Sequence, residues 1–283
     1  MIRKVVISAA GLGTRLLPVT KELPKEMLPI FVRNLKGNII CKPMLQVAFE
    51  QLYDVGFREF GFVVGRGKKA VKDHFTVDEN FVGYLKKNNR VELTNRLSDF
   101  YEKVSNSTMV FINQPVPKGF GDAVYRAKSF TRKEPFLLQA GDDLILSRNN
   151  DHVRRMVTVF EDYDADAVFL VEEVEDPRGY GVIVGDKIKQ DLFEVKKVVE
   201  KPKVPPSNLA VIALYIFNPI IYRAIDKVIP DETGEVQLTD GIDLLLNFQC
   251  KVYALKLKDE ERRVDIGSPE TYLRTLRNLP LDL

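Results

Sequence analysis

From its first residues to about Asp164, the chain alternates short β-branched runs with amphipathic segments, and this alternation constrains the fold more than any other feature. "RKVVISA" reads as a buried strand that stops at Gly11. "KPMLQVAFEQLYDVG" sets Met44, Ala48, Leu52 and Val55 on one helix face, with Gly56 as its stop. "EFGFVVG", "TMVFINQ" and "PFLLQAGDD" read as strands. "KKAVKDHF", residues 78–105, "GDAVYRAKSF" and "NNDHVRRMVTVFEDY" read as helices. Such alternation predicts an α/β fold, Rossmann-like, with helices on both faces of a mostly parallel sheet. Ligands of such sheets sit at the carboxyl ends of the strands. Gly11, Gln114 and Asp142 all follow directly from predicted strands.

After about Asp164 the texture changes. "DAVFLVEEV", "GYGVIVG", "FEVKKVVEK" and "AVIALYIF" are strands with little helix between them, which predicts a mixed, partly antiparallel extension of the same sheet. Two helices follow, near "VQLTDGIDLLLNF" and "SPETYLRTLRNL"; Ser268 stands at the N-cap of the second and Pro269 at its first position. One domain over 1–283 is expected, its halves meeting near residue 164.

The totals exclude several classes. The 42 basic residues nearly balance the 40 acidic ones, which argues against a dedicated nucleic-acid binder but leaves room for a local basic site. Cys41 and Cys250 form no CxxC pair or zinc spacing and read as reduced thiols. The only histidines, His74 and His152, read as helical surface, and their scarcity argues against a histidine zinc site or a Ser/His/Asp relay. No apolar run approaches the roughly 18 residues of a membrane span. The N-terminal apolar run is too short for a signal peptide, so the expected location is cytoplasmic.

The opening loop, "AAGLGTRLLPVTKELPKEMLPI", carries glycines and bases in one stretch. Glycines let a backbone approach a polyphosphate, and clustered N–H groups form an anion nest. A P-loop GxxxxGK[ST] is absent, and Leu16 stands where a dinucleotide fingerprint needs its third glycine. What remains is G-x-G-T-R followed by P-K-E: Arg15 can clamp two phosphate oxygens and Lys25 can act as a point charge. Taken alone, these bases fit equally well as partners of Glu22 and Glu26 in a solvated loop.

The wider pattern resembles the sugar-1-phosphate nucleotidylyltransferases, with "PKEMLP" most similar to their bacterial-type UTP–glucose-1-phosphate uridylyltransferase (UDP-glucose pyrophosphorylase) branch. "QPVPKGFGDAV", "AGDDLIL", "YGVI", "VVEKPKVPPSNLAV", "GEVQLTDGIDLLL" and "VDIGSPETY" resemble further family blocks in order, spanning Ile2 to Tyr272. The resemblance implies the nucleotide-diphospho-sugar transferase fold, with residues 1–164 as nucleotide-binding half and 165–283 as sugar-binding half. It implies in-line attack of glucose 1-phosphate on the α-phosphorus of UTP, without a covalent intermediate. Arg15 is implied on the β- and γ-phosphates, Lys25 near the α-phosphate and Lys201 on the sugar phosphate. Ala10, Gly11 and Gly13 are implied as backbone contacts to the nucleotide, Gln114 and Gly119 as base readers, and Gly181 and Glu200 as sugar contacts. Asp142 and Asp265 are implied as Mg²⁺ ligands, with Asp143 either reaching the metal through water or bonding the loop. Glu200 and Lys201 alternate sides in a regular strand, so a twist or kink at Pro202 is needed for both to meet one ligand.

One departure stands out: "IFVRNLKGNIICKP" inserts a hairpin's worth of residues, with Val32–Ile40 as a hairpin or lid turning at Lys36-Gly37 or Gly37-Asn38. A homo-oligomer, dimer or tetramer, is implied, and the insertion puts its inherited form in question. Two other functions compete: a dTTP-dependent or dual thymidylyltransferase, because both bases present the same hydrogen-bonding edge, and a non-catalytic sugar-nucleotide sensor. Retention of Arg15, Lys25, Asp142, Lys201 and Asp265 argues against the sensor. Glu235 and Asp240 are explained equally well as caps of the following helix.

Overall fold

The computed structural model describes residues 2–33 and 37–278. Its thirteen strands are β1 (Lys4–Ala9), β2 (Pro29–Arg33), β3 (Ile39–Pro43), β4 (Glu59–Gly65), β5 (Thr108–Gln114), β6 (Phe136–Ala140), β7 (Asp143–Leu146), β8 (Ala167–Glu173), β9 (Gly181–Lys189), β10 (Leu192–Glu200), β11 (Leu209–Phe217), β12 (Val252–Lys256) and β13 (Arg262–Asp265). The helices are α1 (Met44–Val55), α2 (Lys69–His74), α3 (Glu79–Lys87), α4 (Val91–Ser105), α5 (Gly119–Arg126), α6 (Lys128–Thr131), α7 (Asp151–Asp162), α8 (Ile221–Ile225), α9 (Leu238–Asn247) and α10 (Pro269–Asn278). No described helix is long and apolar enough to cross a membrane.

Nine strands form one sheet in the order β5-β4-β1-β6-β11-β8-β12-β10-β9. β5, β4, β1 and β6 run parallel, and β8 and β12 pair parallel to each other. β11 and β10 run against their neighbours, so the later part of the chain is the mixed extension its texture suggests. β1 is apolar without alternation because it is buried on both faces. Its Val5, Ile7 and Ala9 pack on one side with Leu45, Phe49 and Leu52 of α1. Val6 and Ala10 pack on the other side with Ala123 and Val124 of α5 and Ile242 of α9.

Helix α1 ends as expected, at a left-handed Gly56. It is buried on a wider arc than its expected face, because Met44, Val47 and Ala48 pack on a third cluster that includes Ile30 of β2, Leu144 of β7 and Val264 of β13. β2 pairs antiparallel with β3, so the inserted segment is a hairpin running from Pro29 to Pro43. Of the expected tip, Lys36 lies outside the described residues, and Gly37 has φ 77°.

Four readings change. The strand read through "QAGDD" breaks: β6 ends at Ala140, Gly141 and Asp142 turn, and β7 leaves to pair with β13. The helix read over 78–105 is two helices, broken where Asn89 takes φ 55°. "KVYALKL" was not among the expected strands, yet it contains β12, an interior strand between β8 and β10. The histidines are not surface residues. His152 is 3% exposed and its Nδ1 lies 2.6 Å from Ser147 Oγ. His74 is half-buried, 3.0 Å from Gln46 Oε1 and stacked on Phe100.

Burial lowers His74 to about 4 and His152 to about 3. Both are then neutral in the fold but protonated in the unfolded chain below about 6.5, so the unfolded state binds more protons there. Stability is expected to fall as pH drops from about 6.5 towards 4, by up to roughly 1.4 kcal/mol per unit per histidine. Urea unfolding between pH 4 and 7 measures the slope, and His152→Asn should flatten it.

Candidate active site

The carboxyl ends of β1, β5 and β6, with β9, β10 and the start of α9, surround a cavity of about 540 Å³. Its floor is set by the first loop. Thr20 donates to the Gly13 carbonyl at 2.6 Å, folding the glycine stretch back on itself. This delivers Lys25 beneath Gly11, whose Cα faces the lysine Cε. Lys25 Nζ ion-pairs with Asp142 Oδ2 from the β6–β7 turn. Burial disfavours both charges, yet each holds the other ionised: Lys25 is raised, with help from Glu26 and Asp265, and Asp142 is lowered, with help from Arg263.

Behind this pair stands Glu26, fully buried and bound through Oε2 to Lys68 Nζ at 2.9 Å. Its Oε1 has no hydrogen-bond partner, and burial raises its carboxyl against the pull of Lys68 and Lys25. Beside it, Arg263 of β13 grips Asp143 through Nε and Nη2 at 2.7–3.0 Å. Burial pushes Asp143 up to about 6 despite that grip, so it remains ionised at neutral pH. Asp143 thus ties β7 to β13, a contact neither of its two expected roles described. Arg263 also lies 3.8 Å from Asp265 Oδ2 and over the Tyr180 ring.

At one end of the cavity, buried Gln114 donates its amide to Asp122 Oδ2 at 2.8 Å and to the Gly119 carbonyl at 3.2 Å. Both donors are engaged, so only its Oε1 is left to read a base; the expected donor-and-acceptor edge is reduced to an acceptor. Gly119 has φ 91°, and an added Cβ would lie 2.8 Å from the Val236 carbonyl. Residues 118–121 are clamped there by Gly121 N to Val236 O and Val236 N to Lys118 O.

At the other end lie Gly181 and Glu200. The twist needed to bring Glu200 and Lys201 together occurs at Lys201 itself, φ 39°, not at Pro202. Lys201 N donates to the Tyr180 carbonyl, and its Nζ reaches Glu200 Oε1 at 3.0 Å. Thr239 Oγ1 donates to Glu200 Oε2 at 2.7 Å.

Seven expected residues line this cavity together: Gly11, Lys25, Gln114, Gly119, Asp142, Gly181 and Glu200. Ala10 is buried in the core, Gly13 is turned onto Thr20, and Arg15 and Lys201 are exposed outside the lining. Asp265 opens on a neighbouring cavity of about 730 Å³ that shares Tyr180 and Arg263. Both carboxylates nevertheless lie near Gly267: its amide donates to Asp265 Oδ1 at 2.6 Å, and a Cβ added there would lie 3.0 Å from Asp265 Oδ1 and 3.7 Å from Asp142 Oδ2. Glu26, Tyr180, Thr239 and Arg263 are wall residues that sequence reasoning missed. Glu26 stood in the quoted "PKEMLP" signature, whereas Arg263 sits on β13, a strand not anticipated. Glu235 lines the cavity and makes no cap bond to α9, and neither does Asp240.

The nucleotidyl transferase family model matches residues 4–280. The chain belongs to the nucleotidyl transferase family. It is 36% identical over 278 residues to a UTP–glucose-1-phosphate uridylyltransferase of Pseudomonas aeruginosa, covering 96% of this chain and 94% of that one. It is 38% identical over 278 residues to a putative enzyme of the same name from Methanocaldococcus jannaschii, covering 97% and 92%. A crystal structure of UDP-glucose pyrophosphorylase complexed with UDP-glucose superposes with a TM-score of 0.82, at 32% identity and 98% coverage of both chains.

In this nucleotidyl transferase, no group of three or more potential metal ligands forms among the described residues. Asp142 and Asp265 are hard oxygen donors that both lie near Gly267, with Asp142 Oδ2 engaged by Lys25 Nζ and Asp265 Oδ1 by the Gly267 amide; their remaining lone pairs suit a cation that completes its shell with phosphate oxygens and water. Removing Arg263 would strip Asp143 of the partner that opposes its burial, leaving a buried carboxyl either uncompensated or forced to take up a proton. Arg263→Met is expected to cost about 3–5 kcal/mol in chemical denaturation, and Asp143→Asn with Arg263→Met should recover much of it.

Proposed function

We propose that the chain transfers the uridylyl group of UTP to glucose 1-phosphate, forming UDP-glucose and releasing pyrophosphate. The observation that carries this reading is one continuous cavity. A base-reading amide lies at one end, a hydroxyl-reading carboxylate at the other, and a buried lysine–carboxylate pair between them. A phosphate oxygen of glucose 1-phosphate attacks the α-phosphorus, and the bond to the bridging oxygen of pyrophosphate breaks. Such a reaction needs alignment and charge neutralisation rather than a protein nucleophile.

Gln114 Oε1 accepts the base N–H, and the turned Gly119 brings backbone against the ring. Ala10, Gly11 and Gly13 give the nucleotide its close backbone contacts. Lys25 is held charged beside the α-phosphate, where negative charge builds. Arg15 and Lys201 are long, exposed side chains that turn inward: Arg15 onto the β- and γ-phosphates, Lys201 onto the sugar phosphate. Glu200 and the Gly181 backbone bind the sugar. Asp142 and Asp265 would hold Mg²⁺, which when bound would screen the repulsion between the two phosphate groups. dTTP is the alternative donor, because an acceptor facing the base N–H treats uracil and thymine alike; the relatives named for UTP favour UTP over it.

Pyrophosphate release from UTP, dTTP, ATP, CTP and GTP, each with glucose 1-phosphate and Mg²⁺, tests this directly. UTP is expected to turn over fastest. Asp142→Ala should lower kcat by about 10²–10³-fold, and Lys201→Ala should raise the KM for glucose 1-phosphate by about tenfold with little change in the KM for UTP. No pyrophosphate from any pair, with folded Mg²⁺-loaded protein, overturns the reading.

A further inference from the structure

Glu200 is bracketed by two donors of different character. Lys201 Nζ lies 3.0 Å from Oε1, but its side chain is half-exposed and is drawn to the sugar phosphate in the reaction above. Thr239 Oγ1 donates to Oε2 at 2.7 Å, and Thr239 is 7% exposed. Of the two, only the threonine is fixed.

The fixing has a steric cause. A Cβ built on Gly181 would lie 2.5 Å from Thr239 Cγ2 and 3.3 Å from Glu200 Oε2. The threonine methyl therefore fills the space that a side chain at 181 would take, and a β-branched residue wedged in this way keeps one χ1. Asp243, one turn further along α9, accepts from Val198 N at 3.1 Å, so α9 and the end of β10 are bonded at two points. Thr239 and Glu200 are thus held on one rigid unit.

We propose that the Thr239 hydroxyl is the positioning group that sets the orientation of Glu200 and, through it, the choice of sugar 1-phosphate; this rests on Glu200 being the sugar-hydroxyl acceptor. The terminal torsion of a glutamate is otherwise broad. An ionised carboxylate offers about four acceptor directions. Thr239 on Oε2 holds the carboxylate in one orientation at the cavity wall, and once Lys201 Nζ leaves Oε1 its remaining acceptor directions suit two neighbouring hydroxyls of a pyranose. An epimer that turns one of those hydroxyls away forfeits a bond and leaves an acceptor unpaired. Thr239 touches Glu200 and acts on the sugar through it.

The test is steady-state kinetics with glucose 1-phosphate and galactose 1-phosphate varied at saturating UTP, and with UTP varied at saturating glucose 1-phosphate, on the full chain and on Thr239→Val, Thr239→Ser and Glu200→Gln. Valine keeps the methyl wedge and removes only the donor. Thr239→Val is expected to raise the KM for glucose 1-phosphate about tenfold, to narrow the preference between the two sugars, and to leave kcat and the KM for UTP within about twofold. Thr239→Ser should restore the wild-type KM. If Glu200→Gln raises the sugar KM but Thr239→Val leaves both KM and preference unchanged, the positioning role is overturned while the sugar-binding reading stands. If Glu200→Gln has no effect on the sugar KM, the sugar-binding reading fails and this inference with it. A Thr239→Val enzyme impaired equally towards UTP and sugar, and not rescued by serine, also overturns it, since that is the mark of a purely structural residue.

Discussion

The Lys25–Asp142 ion pair ties together parts of the chain that lie 117 residues apart, and the site is arranged around it. Lys25 is the end point of the glycine loop, and Asp142 is the corner at which the chain leaves the main sheet after β6 to form β7. Both side chains are about four-fifths covered, so neither charge would persist alone. Glu26 and Lys68 behind them, and Arg263 with Asp143 beside them, extend the pair into a buried charged layer. Such a layer adds little net stability when its desolvation is counted. Its value is preorganisation, because fixed charges stand where a triphosphate and a sugar phosphate must meet.

The small β7–β13 sheet makes that layer possible. Its register sets Asp143 opposite Asp265. The Ile266 amide donates to the Asp142 carbonyl at 3.1 Å, which draws the end of β13 against the corner after β6. Two carboxylates from distant parts of the sequence, Asp142 and Asp265, are thereby brought near Gly267, at the border of two adjoining cavities. The same strand pair supplies Leu144 and Val264 to the apolar cluster beneath α1 and the β2–β3 hairpin, so packing and site geometry share one support.

Much of this was legible early. The alternation of strands and helices announced a parallel sheet; the first loop taken alone also fitted a solvated loop, and only the ordered family blocks along the chain turned it towards a phosphate site. Seven of the expected side chains and backbone positions line one cavity: Gly11, Gln114, Asp142 and Glu200 lie at or just past the carboxyl ends of β1, β5, β6 and β10, whereas Lys25, Gly119 and Gly181 reach it from the first loop and the starts of α5 and β9. Illegible were the contacts that depend on pairing between distant segments. Nothing in "KVYALKL" marks it as interior rather than edge, nothing in "RRVDIG" says that Arg263 meets Asp143, and nothing in "LTDG" says that Thr239 meets Glu200. Both histidines were misread for the same reason: short helices with charges on one side look solvated until a neighbour covers them.

The sequence by itself determined the local chemistry: where strands end, where glycine must replace a side chain, and which segments carry acids and bases. These follow from backbone sterics and periodicity over a few residues. Tertiary structure alone decided which of those groups face each other. It turned Lys201 back at its own backbone, left Gln114 with only an acceptor, and divided Asp142 and Asp265 between adjoining cavities. The physical reason is that a charge or hydroxyl is defined by its partners and its burial, and both are supplied by chain segments far away in sequence.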